Sequence, residues 1–197
     1  MEDYYLFFDT ETTGLFPQKG DRILSIAYIL TDAKGTELYR KNEFVKHKDF
    51  KINEKSIAFE VNGISNEIMN KKGIEPIEVF NGLMEILRGY KPVLVAHNLE
   101  FDMKFLMEEL LRLEWQHRQE EILKLKFFCT KDGTTEILKL ERASKRSNHR
   151  FKPPKLSELH QFCFKKPIEN AHDALADTIA CMNCFFHLRK KGLLKLY

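Results

Sequence analysis

Four carboxylates and one histidine, in three short clusters, are the residues whose types and spacing could do chemistry. In Phe7-Phe8-Asp9-Thr10-Glu11-Thr12-Thr13-Gly14, Asp9 and Glu11 are two residues apart, so at the end of a strand they project from the same face. Two carboxylates held that close repel one another unless a cation lies between them. Asp102 closes the segment Ala96-His97-Asn98-Leu99-Glu100-Phe101-Asp102. On a helix it shares a face with Phe105, Leu106 and Leu113, and a carboxylate turned toward a core needs a partner. The third cluster, Ala171-His172-Asp173-Ala174-Leu175-Ala176-Asp177, puts Asp173 at a helix N-cap and Asp177 in the flank of an apolar stripe. If Asp9, Glu11, Asp102 and Asp177 converge, they can hold two hard cations, which prefer oxygen ligands. Two cations about 3.5–4 Å apart stabilise both the attacking and the leaving oxygens of a phosphoryl displacement. A histidine beside them, His172, can take the proton of the attacking water. Each cluster also has a plain structural reading: a strand end entering a turn, a helix-start carboxylate near positive backbone dipoles, an N-cap, a solvated histidine. Spacing alone leaves both readings open.

The elements that must position these residues follow from the hydrophobic pattern. Tyr4 to Phe8, Arg22 to Leu30 and Leu38 to Val45 read as three consecutive antiparallel strands, with a hairpin at Thr31 to Gly35. Pro76 to Arg88 reads as a helix, Val93 to Ala96 as a short buried strand, Glu100 to Leu113 as a helix and Leu125 to Phe128 as a fifth strand. Ser144 to Pro154 is expected to be a loop, Leu156 to Phe162 a short helix and Asp173 to Lys190 a long one. The long helix carries Leu175, Ile179, Met182 and Phe186 on one face, in a stripe wide enough to take in Ala174, Cys181 and Cys184. Strands first, then strands alternating with helices, give an α/β fold: a mixed sheet flanked by helices. No repeat or linker divides the 197 residues, so a single domain is expected.

Composition narrows the class further. An acidic start, Met1-Glu2-Asp3, and apolar runs as short as Ile23 to Leu30 leave no signal peptide or membrane span to expect, and a soluble, cytoplasmic protein follows. Cys181 and Cys184 have the only CxxC spacing and lie in a helical pattern, so the cysteines read as small core residues rather than a zinc site. The net charge is only +3, but Glu141 to Lys155 holds six basic residues (Arg142, Lys145, Arg146, Arg150, Lys152, Lys155) against one acid. That segment could steer a polyanion, or could be a solvated loop.

The three clusters, in order, resemble the DEDDh 3′–5′ exonucleases, which include the proofreading epsilon subunit of bacterial replicative DNA polymerase and several RNA-trimming enzymes. Asp9 to Leu15 matches a D-x-E-T-T-G-L motif, His97 to Asp102 an H-N-x-x-F-D motif, and His172 with Asp177 an H-x4-D motif. A tyrosine-type relative would have Tyr at Asp173. The resemblance implies a ribonuclease-H-like fold: a five-stranded mixed sheet, its first three strands antiparallel, flanked by helices. It implies that Asp9, Glu11, Asp102 and Asp177 bind two divalent ions, Mg2+ or Mn2+, with Asp9 bridging both and His172 the general base. Backbone around Thr12, Thr13 and Gly14 would meet the 3′-terminal nucleotide, and Leu15 would wedge against its base. Asn62-Gly63-Ile64-Ser65 resembles the family's H-G-I-[ST] segment, in which Ile64 packs on that base, with Asn62 replacing the usual His. Asn98 and Phe101 would support the substrate side. The implied partner is a single-stranded nucleic acid 3′ end, DNA before RNA, with a DNA polymerase subunit as a further partner to consider.

Two rival classes share part of the pattern. A haloacid-dehalogenase-type phosphatase has a D-x-D-x-T motif, close to Asp9 to Thr13, and the D-x3-D spacing of Asp173 and Asp177. It needs Asp where Glu11 stands, and it leaves the H-N-x-x-F-D segment unexplained. A non-catalytic nucleic-acid-binding relative usually lacks one or more metal ligands, and here all four are present.

Overall fold

Large apolar side chains alternate along β1 (Tyr5–Thr12) and enter two separate cores, one on each face of the sheet. The computed structural model describes residues 4–48, 50–141 and 150–194. After β1 come β2 (Ile23–Thr31) and β3 (Glu37–Phe44), then two short helices, α1 (Ile57–Asn62) and α2 (Asn66–Lys72), and the longer α3 (Pro76–Tyr90). β4 (Val93–Ala96), α4 (Leu99–Arg112), α5 (Gln116–Leu123) and β5 (Phe127–Cys129) follow. The remaining helices are α6 (Thr130–Gly133), α7 (Thr135–Leu138), α8 (Leu156–Phe164) and α9 (Ala174–Lys190). The strand order is β3-β2-β1-β4-β5, with β1–β2 and β2–β3 antiparallel and β1–β4 and β4–β5 parallel. This is the expected five-stranded mixed sheet.

Leu6 and Phe8 of β1 pack with Leu94 and Ala96 of β4 against Phe80 and Leu83 of α3 and Phe105 and Leu106 of α4. Tyr5 and Phe7, one residue out of phase, pack on the opposite face against Leu159 of α8 and Cys181, Cys184 and Phe185 of α9. Continued by alternation, that second face receives Asp9 and Glu11, and the first receives Thr10 and Thr12.

Some sequence boundaries need correction. The first strand does not stop at Phe8 but runs to Thr12, because backbone pairing with β2 continues after the apolar run ends, through Asp9↔Ala27 and Glu11↔Ser25. In α9 the most buried line is Ala174, Thr178, Cys181, Phe185 and Leu188, while Leu175, Ile179, Met182 and Phe186 are half-buried beside it. Small residues face the sheet because they let the helix approach it closely. The N-terminal caps Ser56 and Ser65, accepting from Phe59 N and Ile68 N at 3.2 Å each, start α1 and α2, which periodicity could not find in six or seven residues. Leu125 belongs to the connection after α5, so the fifth strand is Phe127–Cys129. The four cysteines are free thiols, Cys181 and Cys184 in the core as expected. Among the described residues no helix is long and apolar enough to cross a membrane. Of the basic run, Arg142, Lys145 and Arg146 lie outside the described residues, as does most of the expected loop. Lys152 pairs with Glu158 at 2.6 Å, which takes up its charge.

The connection from β1 to β2 is fixed from α4. Glu109, fully buried, accepts from Arg22 Nε and Nη2 at 2.8 Å each and from Arg112 Nη1 at 3.2 Å. Arg112 also donates to the carbonyls of Asp21 and Pro17. The Asp21 carboxylate in turn accepts from Thr13 Oγ1 at 3.0 Å and Phe16 N at 2.9 Å. It lies so close under Gly14 that a Cβ there would come within 2.4 Å of it, so only glycine fits.

Candidate active site

β1 outruns its parallel neighbour. Pairing with β4 covers Tyr5 to Phe7, and β4 ends at Ala96. Beyond that point a side chain takes over from the missing strand: Asp102 Oδ1 accepts from Thr10 N at 3.1 Å and from Thr10 Oγ1 at 2.7 Å. The turn that makes this reach possible is Asn98, whose left-handed φ of 74° starts α4. Asp102 is 2% exposed, so the partner that its core-facing position demands is Thr10. The site thus forms at the carboxyl ends of parallel strands, where open α/β sheets ordinarily present their ligand crevice.

Asp177 approaches from the other face. Asp173 caps α9 by accepting from Ala176 N at 3.0 Å, which places Asp177 one turn into the helix, beside the line that packs on β1. Asp9, Glu11 and Asp177 each offer a carboxylate oxygen, and these oxygens all lie within 4.8 Å of one another. Asp102 is outside that trio, since it comes from the α4 face of the sheet and spends one oxygen on Thr10. His172 is exposed, with a left-handed φ of 70°, and its backbone N donates to Asp177 Oδ2 at 3.3 Å. A cavity of about 610 Å³ is lined by Asp9, Phe101, Asp102, Lys131, His172 and Asp177, among others. A second cavity of about 650 Å³, against Leu87, Ile122 and Leu125, holds no convergent carboxylates.

The cluster is strongly acidic. Burial, then the charges of Asp102, Asp177, Glu11 and Asp173, hold the Asp9 carboxyl well above the usual range. Burial and then the charges of Asp177, Asp102 and Asp173 push Glu11 up to about 8, against a hydrogen bond from Asn62. Burial pushes Asp102 to about 7 despite its two hydrogen bonds from Thr10, and burial raises Asp177 too. Oxygen donors so close, each costly to ionise alone, fit a hard divalent cation. A measurable consequence follows from the sign. Carboxyl groups with raised pKa values in the folded state support it below about pH 4, and that support is lost as pH rises through about 7 and 8. In chelator, therefore, the melting temperature should fall between about pH 5 and 8.5. Mg2+ at pH 8 should restore it by roughly 5–10 °C, since a ligand at ~100 times its Kd adds ~2.7 kcal/mol. A melting temperature that is flat with pH and indifferent to Mg2+ would show that these carboxylates do not form a cation site.

The remaining expected contacts are arranged around this core. Thr12 Oγ1 donates to Gly14 O at 2.7 Å, Thr13 holds Asp21, and Leu15 is 68% exposed. Asn62 Nδ2 donates to Thr12 O at 3.1 Å, tying α1 to the end of β1. Ile64, by contrast, is buried in a small core with Leu24, Ile52 and Met69, which leaves little of it for a base. Phe101 packs at a tilt against Phe105, with ring centroids 4.9 Å apart and planes 48° to each other. Three residues in or beside the cavity had no role in the sequence reading. The parity of Thr10, opposite to that of Asp9, puts it on the Asp102 side of the sheet, but its pairing with Asp102 carried no sequence signal. His97, inside a motif, bonds Thr130 Oγ1 at 3.0 Å and Pro154 O at 3.1 Å, and burial lowers its pKa to about 4, so it is a neutral tether. Lys131 carried no sequence signal.

Comparison with known proteins agrees with this fold. The model of the exonuclease family (RNase_T) matches residues 6–185. The chain belongs to the exonuclease family. Its resemblance to the DEDDh 3′–5′ branch, read from three motifs, is thereby borne out. Among curated relatives, the DNA polymerase III subunit epsilon of Rickettsia prowazekii (strain Madrid E) is 36% identical over 113 residues, covering 55% of this chain and 45% of that protein. The 3′-5′ exonuclease DinG of Bacillus subtilis (strain 168) is 32% identical over 123 residues, 60% of this chain and 12% of that protein. The DNA polymerase III subunit epsilon-like protein of Rhodobacter capsulatus is 31% identical over 185 residues, 93% of this chain and 23% of that protein. The chain thus spans less than half the length of these relatives. Among solved structures, E. coli exonuclease I in complex with a dT13 oligonucleotide superposes with a TM-score of 0.73 at 22% identity. That match covers 95% of this chain and 41% of exonuclease I, and at this identity it supports the fold.

Proposed function

We propose that this exonuclease-family chain is a divalent-cation-dependent 3′–5′ exonuclease that releases nucleoside monophosphates from 3′ ends of single-stranded DNA. The observation that carries this reading is the approach of Asp9, Glu11 and Asp177 within 4.8 Å beside an open cavity. In this reading Asp9, Glu11, Asp102 and Asp177 would hold two Mg2+ or Mn2+ ions, which prefer oxygen ligands. Such ions, when bound, neutralise phosphate oxygens and lower the barrier to attack at phosphorus. Asp102, by accepting from Thr10, fixes the backbone next to Asp9. His172 takes a proton from the attacking water at an imidazole nitrogen, its backbone held to Asp177. The Thr12–Leu15 segment receives the terminal nucleotide, with the exposed Leu15 against its base. Asn98 and Phe101 line the opposite side of the path.

DNA is preferred over RNA in this proposal because the relatives are named as DNA polymerase subunits and because the D-x-E-T-T-G-L form is closer to the proofreading branch. Association with a polymerase is left outside the proposal, since the relatives extend well beyond the part matched. The deciding assay uses matched 3′-labelled single-stranded DNA, duplex DNA and RNA, each with Mg2+ and with Mn2+. Mononucleotide release should be fastest on single-stranded DNA, by roughly tenfold or more over RNA, whose 2′-OH marks it. Faster release from RNA would identify an exoribonuclease instead. Binding without release, or hydrolysis confined to small phosphate monoesters, would overturn the exonuclease reading.

A further inference from the structure

A nucleic acid strand brings a negative charge at every linkage. The groups given roles at the cavity above are acids, neutral side chains and two histidines, and of the two lysines that line it Lys155 is exposed while Lys131 is half-buried. Lys131 is different. It stands in the first turn of α6, directly after β5, and it lines the cavity with Asp9, Asp102 and His172. Its Nζ donates to Asn98 Oδ1 at 2.8 Å. Among the described residues it forms no salt bridge, whereas its acidic neighbour Glu100 is paired with Lys104 at 2.7 Å. A neutral amide uses one of three N–H donors, and the attraction of Lys131 to the exposed Glu100 is secondary to that carboxylate's pairing with Lys104. Asn98 is itself fixed, because its left-handed backbone starts the helix that carries Asp102. The amide therefore keeps a half-buried ammonium on the cavity wall and reduces the rotamer entropy lost when a ligand arrives. A solvated lysine would need neither the half-buried stem nor the amide.

We propose that Lys131 binds a backbone phosphate of the substrate strand, the one adjacent to the scissile linkage on its 5′ side. The assignment rests on the exonuclease reading, in which the carboxylate-held cations take the scissile phosphate. The two donors left on Lys131 then face the next charge along the strand, which the acidic side of the cavity cannot hold. A lysine suits this task as a point charge on a flexible stem.

The test measures kcat/KM for the wild type, Lys131→Gln and Lys131→Arg on a single-stranded DNA oligomer over a salt series. The series is repeated on the same oligomer carrying one uncharged methylphosphonate at the second linkage from the 3′ end. On the ordinary strand Lys131→Gln should lose about tenfold in kcat/KM, mainly through KM, and its salt slope should flatten by about 0.7, as for one phosphate contact. Lys131→Arg should retain most of the wild-type value. On the methylphosphonate strand the wild type and Lys131→Gln should become equal. An unchanged salt slope, or the same loss on both strands, would overturn the assignment while leaving the exonuclease reading intact. A wild type that shortens neither strand would overturn the reading beneath it, and that result needs no mutant to be seen.

Discussion

Asp9→Ala is expected to lower turnover by at least about 10³-fold while the chain stays folded, because several kcal/mol of transition-state stabilisation depend on the cations it helps to hold. Asp9 is the acid that feels all the others: Asp102 from the α4 side, Asp177 from α9, Glu11 from its own strand. Its loss would therefore disturb the whole acidic set. Folding should survive, since the unpaired, buried carboxylate is a cost to the metal-free protein rather than a support. Asp9→Asn, which keeps the volume, separates the two effects. In chelator at pH 8 it should melt above the wild type, and the gap should narrow toward pH 4, where the wild-type carboxyl is protonated in the folded state. Wild type with excess chelator should match the turnover of Asp9→Ala. Near-normal nuclease activity in either case would end the two-cation reading.

The acids at this site were legible in the sequence to different degrees, for physical reasons. Asp9 and Glu11 could be paired from parity alone, because a strand has only two faces and both residues follow Tyr5 and Phe7 onto the α9 side. Asp177 could be placed near a core flank from helical period, though not its approach to β1, which depends on small residues at Ala174, Thr178 and Cys181 drawing α9 onto the sheet. Asp102 was legible as a carboxylate in need of a partner, but the partner, Thr10, is visible only once β4 stops short of β1. Strand length is a property of pairing, and no local pattern in Asp9 to Thr12 announces that β2 continues to pair there. Lys131 was invisible for the same reason: a lysine after a short strand becomes notable only when Asn98 and the cavity are beside it. Ile64 shows the reverse. Its motif pointed to a nucleotide base, while its environment is a small core with Leu24, Ile52 and Met69. The motifs therefore identified which residues gather, and the topology decides how much of each is available.

His172→Ala is expected to bind cations and nucleic acid almost normally yet to lose roughly 10²–10⁴-fold in turnover, the ordinary contribution of a positioned general base. The structure places this residue apart from the carboxylates in kind as well as in position. It is exposed, it lines the cavity, and its link to the site is the backbone N–H that Asp177 Oδ2 accepts at 3.3 Å. Among the described residues no hydrogen bond engages its imidazole, so the ring can take up a proton without first breaking a contact. Hard cations prefer oxygen, and carboxylate oxygens are already at hand, so the ring is not needed as a ligand. Its backbone is held in a left-handed conformation just ahead of the Asp173 cap. At saturating Mg2+ the loss in His172→Ala should appear in kcat, with KM little changed. Asp177→Ala should differ in kind, with weakened cation binding and a rate that excess Mn2+ partly restores. Retention of turnover in His172→Ala would assign the proton transfer to another group.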